Sequence, residues 1–302
     1  MARPDLTPPA DIGVIGIGAM GAPMARNLAM AGYRVHVFDA APGAAARFAE
    51  TTPCETPASL RNLGAACDAV ITMLPNGDIV RTVLLGEGDN VVSGLKPGAI
   101  LIDMSSSSPT GTQALAVDLA AKGFALADAP VSGGVPRAVD GSLAIMVGGE
   151  AGAVERTLPV FAPLGTATLT GGPGSGHAMK ALNNYLSAAN LATASEALIA
   201  GVRFGLDPNV MIEILNASSG RNTGTAQKIP AYVIPRNFSS GFALKLMAKD
   251  LRLALEVARA AGTESPLLAE TSAIYDRAEA AMGPGADNTD VYRYLESLAG
   301  KP

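Results

Sequence analysis

The chain has no tryptophan, and its 302 residues include two cysteines, Cys54 and Cys67, and two histidines, His36 and His177. Cys and His alone cannot supply a zinc site at the usual spacings, so metal-free chemistry is expected. Charge is scarce as well: 16% of residues are charged against 48% hydrophobic, with a net charge of -5. No stretch concentrates enough Lys and Arg to track a phosphate backbone, which excludes nucleic acid as an expected partner. An uninterrupted apolar run of about 18 residues, the length that crosses a bilayer, is absent too. The opening MARPDLTPPAD carries no apolar signal core, so the expectation is a cytoplasmic protein with a short frayed start and no membrane partner.

Up to about Gly171, short β-rich runs alternate with alanine-rich stretches: DIGVIGIG, RVHVFDA, DAVITMLP, AILIDMS, ALADAPVS, LAIMVGG and TATLTG. That rhythm predicts a largely parallel sheet covered by helices. After GGPGSG the strand pattern stops, and helical segments are expected around 176–204, 208–217, 242–261, 265–282 and 288–299. The reading is an α/β fold: a doubly wound Rossmann-type domain over 1–172, then an all-helical domain over 173–302 that contributes a substrate pocket and an oligomer interface.

GVIGIGAMGAPMARNLAMAGYRVHVFDA sets Gly16, Gly18 and Gly21 between an apolar strand and an alanine-rich helix, with Asp39 closing the next strand. Gly16 permits the tight turn, Gly18 lets backbone approach a pyrophosphate, and Gly21 lets helix and strand pack closely. Ala19 and Met20 belong to the same cofactor turn, whose helix N-terminus faces the phosphates. Asp39 has two readings, a turn cap or the carboxylate that accepts from the adenosine ribose. The second repels the extra phosphate of NADP, so NAD is the expected cofactor and NADP the lesser one; Arg34 and Arg47 are the cations that argue the other way.

Ligands of a doubly wound sheet collect at the carboxyl ends of its strands. Leu74 and Pro75 end one strand, and Ser105 to Ser108 end another, where Ser106 serves either as a helix cap or beside the nicotinamide. In DAPVSGGVPRAVDG, the Ser132 hydroxyl and the amides of Gly133 and Gly134 suit a carboxylate; a Gly-rich loop without a ligand is the even alternative, and Arg137 reads as a surface residue.

GHAMKALNNYLSAAN, residues 176–190, is helical and almost free of charge, yet Lys180, Asn183, Asn184, Ser187 and Asn190 fall on one face. Such a stripe lines a wet cleft between domains or forms a hydrogen-bonded polar core. His177, three residues before Lys180, reads as a support for the helix start.

These segments together resemble the β-hydroxyacid dehydrogenases, the family of 3-hydroxyisobutyrate dehydrogenase and tartronate semialdehyde reductase. GVIGIGAMGAPMARNL, DAPVSGG, GSGHAMKALNN and LMAKDLRLA match the family's motifs in order, along nearly the whole chain. The resemblance implies that Lys180 is the catalytic lysine, that Asn184 binds substrate, and that Ser132, Gly133 and Gly134 hold its carboxylate. It further implies that Lys249 closes over the cofactor, that Asp250 braces this region, and that Ser106 lies near the nicotinamide. NADP-using relatives carry Asn-Arg-Thr where this chain has Asp39-Ala40-Ala41, which favours NAD. The implied reaction moves a hydride between a small 3-hydroxy acid, 3-hydroxyisobutyrate-like, and the nicotinamide, with Lys180 as general acid/base. The alternatives are a tartronate semialdehyde reductase-type activity and a non-enzymatic dinucleotide-binding protein on the same fold. Arg221, Phe242 and Lys245 are expected to shape the pocket. A mean hydropathy of +0.27 with few charges leads us to expect a homodimer or homotetramer.

Overall fold

A computed structural model describes residues 6–300; part of the expected frayed start, residues 1–5, lies outside the described residues. By internal contact the chain divides into two units, one running up to Lys180 and the other from Ala181.

The first unit holds the strands β1 (Asp11–Ile15), β2 (Arg34–Phe38), β3 (Ala69–Thr72), β4 (Ile100–Asp103), β5 (Ala125–Asp128), β6 (Val131–Ser132), β7 (Leu143–Gly149) and β8 (Gly165–Gly171). Its helices are α1 (Gly21–Met30), α2 (Ala44–Ala49), α3 (Leu60–Ala66), α4 (Gly77–Leu85), α5 (Pro109–Ala120), α6 (Gly134–Asp140) and α7 (Ala151–Phe161). The strands run in the order β2-β1-β3-β4-β5-β7-β6, with β8 beside β7. β1 to β5 pair in parallel, whereas β7 is antiparallel to both β5 and β6. The order reverses between β1 and β3, so a ligand crevice belongs at the carboxyl ends of those strands.

The strand sequences explain the burial. Central strands of a parallel sheet are covered on both faces and so read as continuous apolar runs. Every residue of β3 and β4 is buried. Successive side chains point to opposite faces: Ile71 and Ile102 enter the core shared with Ile12 and Met24, while Val70 and Leu101 enter the core shared with Leu63 and Leu84.

The second unit is helical. Helix α8 (Ser175–Phe204) begins in the first unit and continues into it, followed by α9 (Pro208–Ala217), α10 (Leu244–Ala260), α11 (Pro266–Met282) and α12 (Val291–Leu298). Leu191, Leu198, Leu251 and Tyr275 form its core, where the Tyr275 hydroxyl donates to the Ala188 carbonyl at 3.3 Å. The strand and helix segments read from the sequence are present, with one omission. Gly224–Val233 forms a π-helix, and its breakers Gly224 and Pro230 hide it from a helix pattern. Pro230 lacks the amide that an α-helical ladder requires, while the wider π turn is bridged by Ile234 N–H donating to Ile229 O at 2.9 Å. A Cβ on Gly224 would lie 3.1 Å from the Asn190 carbonyl, so glycine lets this π-helix press on α8.

Candidate active site

The turn after β1 has a different demand on each glycine. Gly16 has φ +90°, and a side chain on Gly21 would put Cβ 1.8 Å from the Gly16 carbonyl. Around Gly18, by contrast, an added Cβ meets nothing within 4 Å. Two of the glycines are therefore required by the fold, while Gly18, exposed next to Ala19, keeps a surface open. No side chain caps the N-terminus of α1 at Met20, and its first turn carries no acid. An open glycine surface in front of uncapped helix amides fits the pyrophosphate of a dinucleotide.

Asp39, just past β2, accepts from Ile17 N–H at 2.9 Å and from Ala41 N–H at 2.8 Å. It therefore braces the turn, and a carboxylate so held keeps lone pairs for ribose hydroxyls. Arg34 stands at the opposite end of β2, ion-paired with Asp11. That removes one of the two cations argued for NADP; Arg47, on α2, donates to the Pro42 carbonyl at 3.3 Å.

At the end of β3, Leu74 N–H donates to Ser105 Oγ at 2.9 Å, Pro75 is exposed, and the Asn76 side chain caps α4 by accepting from Ile79 N–H. The serine run after β4 divides by role. Ser105 N–H and the Ser107 hydroxyl both donate to the buried Asp103, and Ser108 caps α5 by accepting from Gly111 N–H at 2.9 Å. Ser106, between two inward serines, is half-exposed at the strand's carboxyl end.

Ser132 ends β6, and the two glycines after it have φ of 132° and 70°, so both occupy backbone space that other residues rarely adopt. A glycine-rich turn of this kind is compatible with an anion-binding nest of backbone amides. Arg137 is exposed, as read, but its stem runs beside the turn: a Cβ on Gly133 would meet Arg137 Cδ at 2.5 Å.

The start of α8 is anchored by residues far away in sequence. The fully buried Asp128 at the end of β5 accepts from Gly174 N–H at 2.8 Å and His177 N–H at 2.9 Å, capping the helix against its dipole. Gly176 permits that approach, since a Cβ there would lie 2.3 Å from the Met146 carbonyl. The buried His177 ring contacts the Ser105 carbonyl through Nε2 at 3.1 Å and Thr112 Oγ1 through Nδ1 at 2.9 Å. A carbonyl can only accept, so Nε2 carries a proton. His177 thus supports the helix start, one turn before the half-buried Lys180.

Four residues after Lys180, about 6 Å along the helix axis, the buried Asn184 donates from Nδ2 to Asp250 Oδ2 at 2.6 Å. Asn183 donates to Asn184 Oδ1 at 3.2 Å, which completes the clamp on the amide. Lys249, on α10, lies 3.4 Å from the other oxygen of Asp250. The Asp250 carboxylate is therefore the common brace of an asparagine and a lysine singled out from sequence. Arg221 and Lys245 are exposed, and Phe242 packs partly buried against the helical core. Sequence reading missed Asp128 and a further lysine, Lys228, whose Nζ reaches Ser187 Oγ at 3.2 Å. The signal for Asp128 was its place at a strand end before a Gly-rich turn; nothing local marked Lys228.

Residues 11–172 match the family model for the NAD binding domain of 6-phosphogluconate dehydrogenase, and residues 174–295 match that for the NAD-binding domain of NADP-dependent 3-hydroxyisobutyrate dehydrogenase. The chain is 40% identical to 2-(hydroxymethyl)glutarate dehydrogenase of Eubacterium barkeri, over 96% of each chain. The chain belongs to the β-hydroxyacid dehydrogenase family. A second member of it, 3-sulfolactaldehyde reductase of Escherichia coli (strain K12), is 38% identical over 96% of this chain and 97% of that protein. Among solved structures, Mycobacterium tuberculosis 3-hydroxyisobutyrate dehydrogenase with L-serine superposes with a TM-score of 0.87 at 32% identity, covering 95% of this chain and 99% of that one. As a β-hydroxyacid dehydrogenase the chain is an NAD(P)-dependent oxidoreductase that acts on the CH–OH group of a small hydroxy acid. The non-enzymatic alternative falls with that membership. Among the described residues no helix is long and apolar enough to cross a membrane, and no group of three or more His, Cys, Asp or Glu could hold a metal ion.

Proposed function

We propose that the enzyme oxidises a 3-hydroxyisobutyrate-like 3-hydroxy acid with NAD, using Lys180 as the general acid/base. NAD, when bound, supplies the acceptor for the hydride that leaves the substrate carbon. Lys180 Nζ takes the hydroxyl proton during oxidation and returns it to the oxygen in reduction. Asn184 holds the same oxygen: Asp250 occupies one N–H of its amide and leaves the second to a substrate. The Ser132 hydroxyl and the amides of Gly133 and Gly134 hold the carboxylate. Gly16, Gly18, Ala19, Met20 and Gly21 cradle the pyrophosphate, and Leu74, Pro75 and Ser106 border the rest of the cofactor. Lys249, held beside Asp250, is a further cofactor-binding residue. The observation that carries this reading is the pair Lys180 and Asn184, one turn apart on a helix whose first turn is tied down by Asp128 and whose asparagine is clamped by Asp250.

Asp39 supports NAD over NADP, because a carboxylate at the end of the second strand repels the extra phosphate, and Arg34 is engaged elsewhere. Exposed apolar side chains along α8 and α9, among them Leu186, Phe204, Val210 and Ile214, support a homodimer or homotetramer. The reading places the enzyme in the cytoplasm.

Replacing Lys180 with Met tests the assignment, with NAD binding and turnover measured separately. We expect turnover to fall by at least about 100-fold with NAD affinity within about threefold. Turnover close to wild type removes Lys180 from the chemistry. Parallel assays with NAD and NADP on 3-hydroxyisobutyrate test the cofactor, and an NADP preference overturns the role given to Asp39.

A further inference from the structure

Lys228 has an unusual setting for a lysine. It lies on the π-helix Gly224–Val233 and is half-buried, and its ammonium donates to the Ser187 hydroxyl at 3.2 Å. None of the ion pairs among the described residues includes it. Burial lowers its pKa, and only Asp287 opposes that, at longer range. The Asp287 carboxylate is itself occupied by Ser240, Gly241 and Thr289. An ammonium drawn out of water without a carboxylate partner is costly unless an anion arrives to meet it.

Its position says where that anion belongs. Lys180, Asn184 and Ser187 share one face of α8, and Ser187 follows Asn184 by about 4.5 Å along the axis. Lys228 caps that row at the Ser187 end. The same π-helix approaches α8 at Asn190 through Gly224, and Lys228, four residues on, meets that helix at Ser187.

We propose that Lys228 is a specificity residue that recognises a second anionic group on the substrate, a carboxylate or sulfonate two or three carbons beyond the hydroxyl-bearing branch. The inference rests on the hydroxy-acid dehydrogenase reading and names the substrate class within it. Ser187 holds the ammonium in place and stands ready to donate its own proton to the same anion. A substrate so bound is a dianion whose distal anion meets Lys228 and Ser187.

A matched set of substrates tests this: 2-(hydroxymethyl)glutarate, its sulfonate counterpart 2-(hydroxymethyl)-4-sulfobutanoate, and 2-(hydroxymethyl)pentanoate, in which a methyl replaces the distal anion. The wild type should favour the better of the two dianions over the methyl compound by at least about 30-fold in kcat/KM, the range for a charge-assisted hydrogen bond. In Lys228→Met that ratio should fall to within about threefold of one, through KM, while Lys228→Arg keeps most of it. The two dianion arms decide between carboxylate and sulfonate. A wild type that prefers the methyl compound, or a ratio that survives in Lys228→Met, overturns the proposal. A parallel loss on all three substrates shows a structural role and overturns it equally. Calorimetric binding of unreactive glutarate and 4-sulfobutanoate separates this from the parent reading. If no hydroxy acid is turned over, the dehydrogenase reading fails, and the Lys228 proposal still stands or falls on whether Lys228→Met weakens that binding by at least about tenfold.

Discussion

In the first unit the candidate contacts include, beside the side chains of Asp39, Ser106, Ser132 and Lys180, two turns set by the backbone: Gly16, Gly133 and Gly134 hold φ of 90°, 132° and 70°, and Gly21 has no room for a Cβ. In the second they are side chains fixed by other side chains: Asn184 by Asp250 across 66 residues, and Ser187 by Lys228 across 41. The two designs respond differently to mutation. A backbone turn is set by local sterics and fails when one atom is added, whereas a side-chain clamp fails only when its partner is removed, and then gradually.

The sharpest break of the comparison is Gly21→Ala. With Cβ 1.8 Å from the Gly16 carbonyl, the turn cannot close, and we expect either no folded protein or a melting temperature lower by more than about 5 °C together with lost NAD binding. Gly18→Ala is its counterpart, since its Cβ meets nothing within 4 Å. It should melt within about 1 °C of wild type and still bind NAD at least about tenfold more weakly, because the methyl group occupies the approach to the pyrophosphate. Unchanged affinity in Gly18→Ala, read by fluorescence titration, removes the pyrophosphate from that surface.

A smaller effect is expected from the side-chain clamp. Asp250→Ala leaves the Asn184 amide without its brace and should lower kcat/KM by roughly 10- to 100-fold, with much less loss in Asp250→Asn, whose side-chain oxygen still accepts from Nδ2. Combining Asp250→Ala with Asn184→Ala should be little worse than Asn184→Ala alone, because both changes break one contact. Additive losses in that cycle would show that the aspartate acts elsewhere.

The same contrast explains what could be read from the sequence. Glycine spacing between a strand and a helix reports a backbone demand, so the turn at Gly16 to Gly21 is visible in any stretch that meets it. The strands show through their apolar runs, because β3 and β4 are buried on both faces. A pairing such as Asn184 with Asp250 leaves no local mark; family motifs pointed to both residues, and only the fold shows that they touch. Lys228 escaped notice for a further reason: its helix is a π-helix interrupted by Pro230, and neither an α nor a β period fits it. Asp128 was quoted within a motif, yet its role as the cap of α8 depends on a chain return 46 residues later.

The smallest effect falls at the other end of the sheet, where an ionisable side chain of the first unit does serve stability. Asp11 opens β1, and its carboxyl is held down to about 2 by Arg34, with His36 adding to the effect against the cost of burial. Because the folded value lies below the unfolded one, near 3.8, the stability Asp11 contributes is present above about pH 4 and is lost as pH falls toward about 2. The Arg34 partner is exposed, so solvent screening keeps the contribution small. Asp11→Asn should lower the melting temperature at pH 7 by only about 2 °C, and the gap to wild type should shrink between about pH 4 and 2 in urea melts. NAD affinity should stay the same throughout, since Asp11 lies at the amino end of β1 and the phosphate turn follows its carboxyl end. A change in NAD affinity in Asp11→Asn would mean that this side chain reaches the cofactor turn.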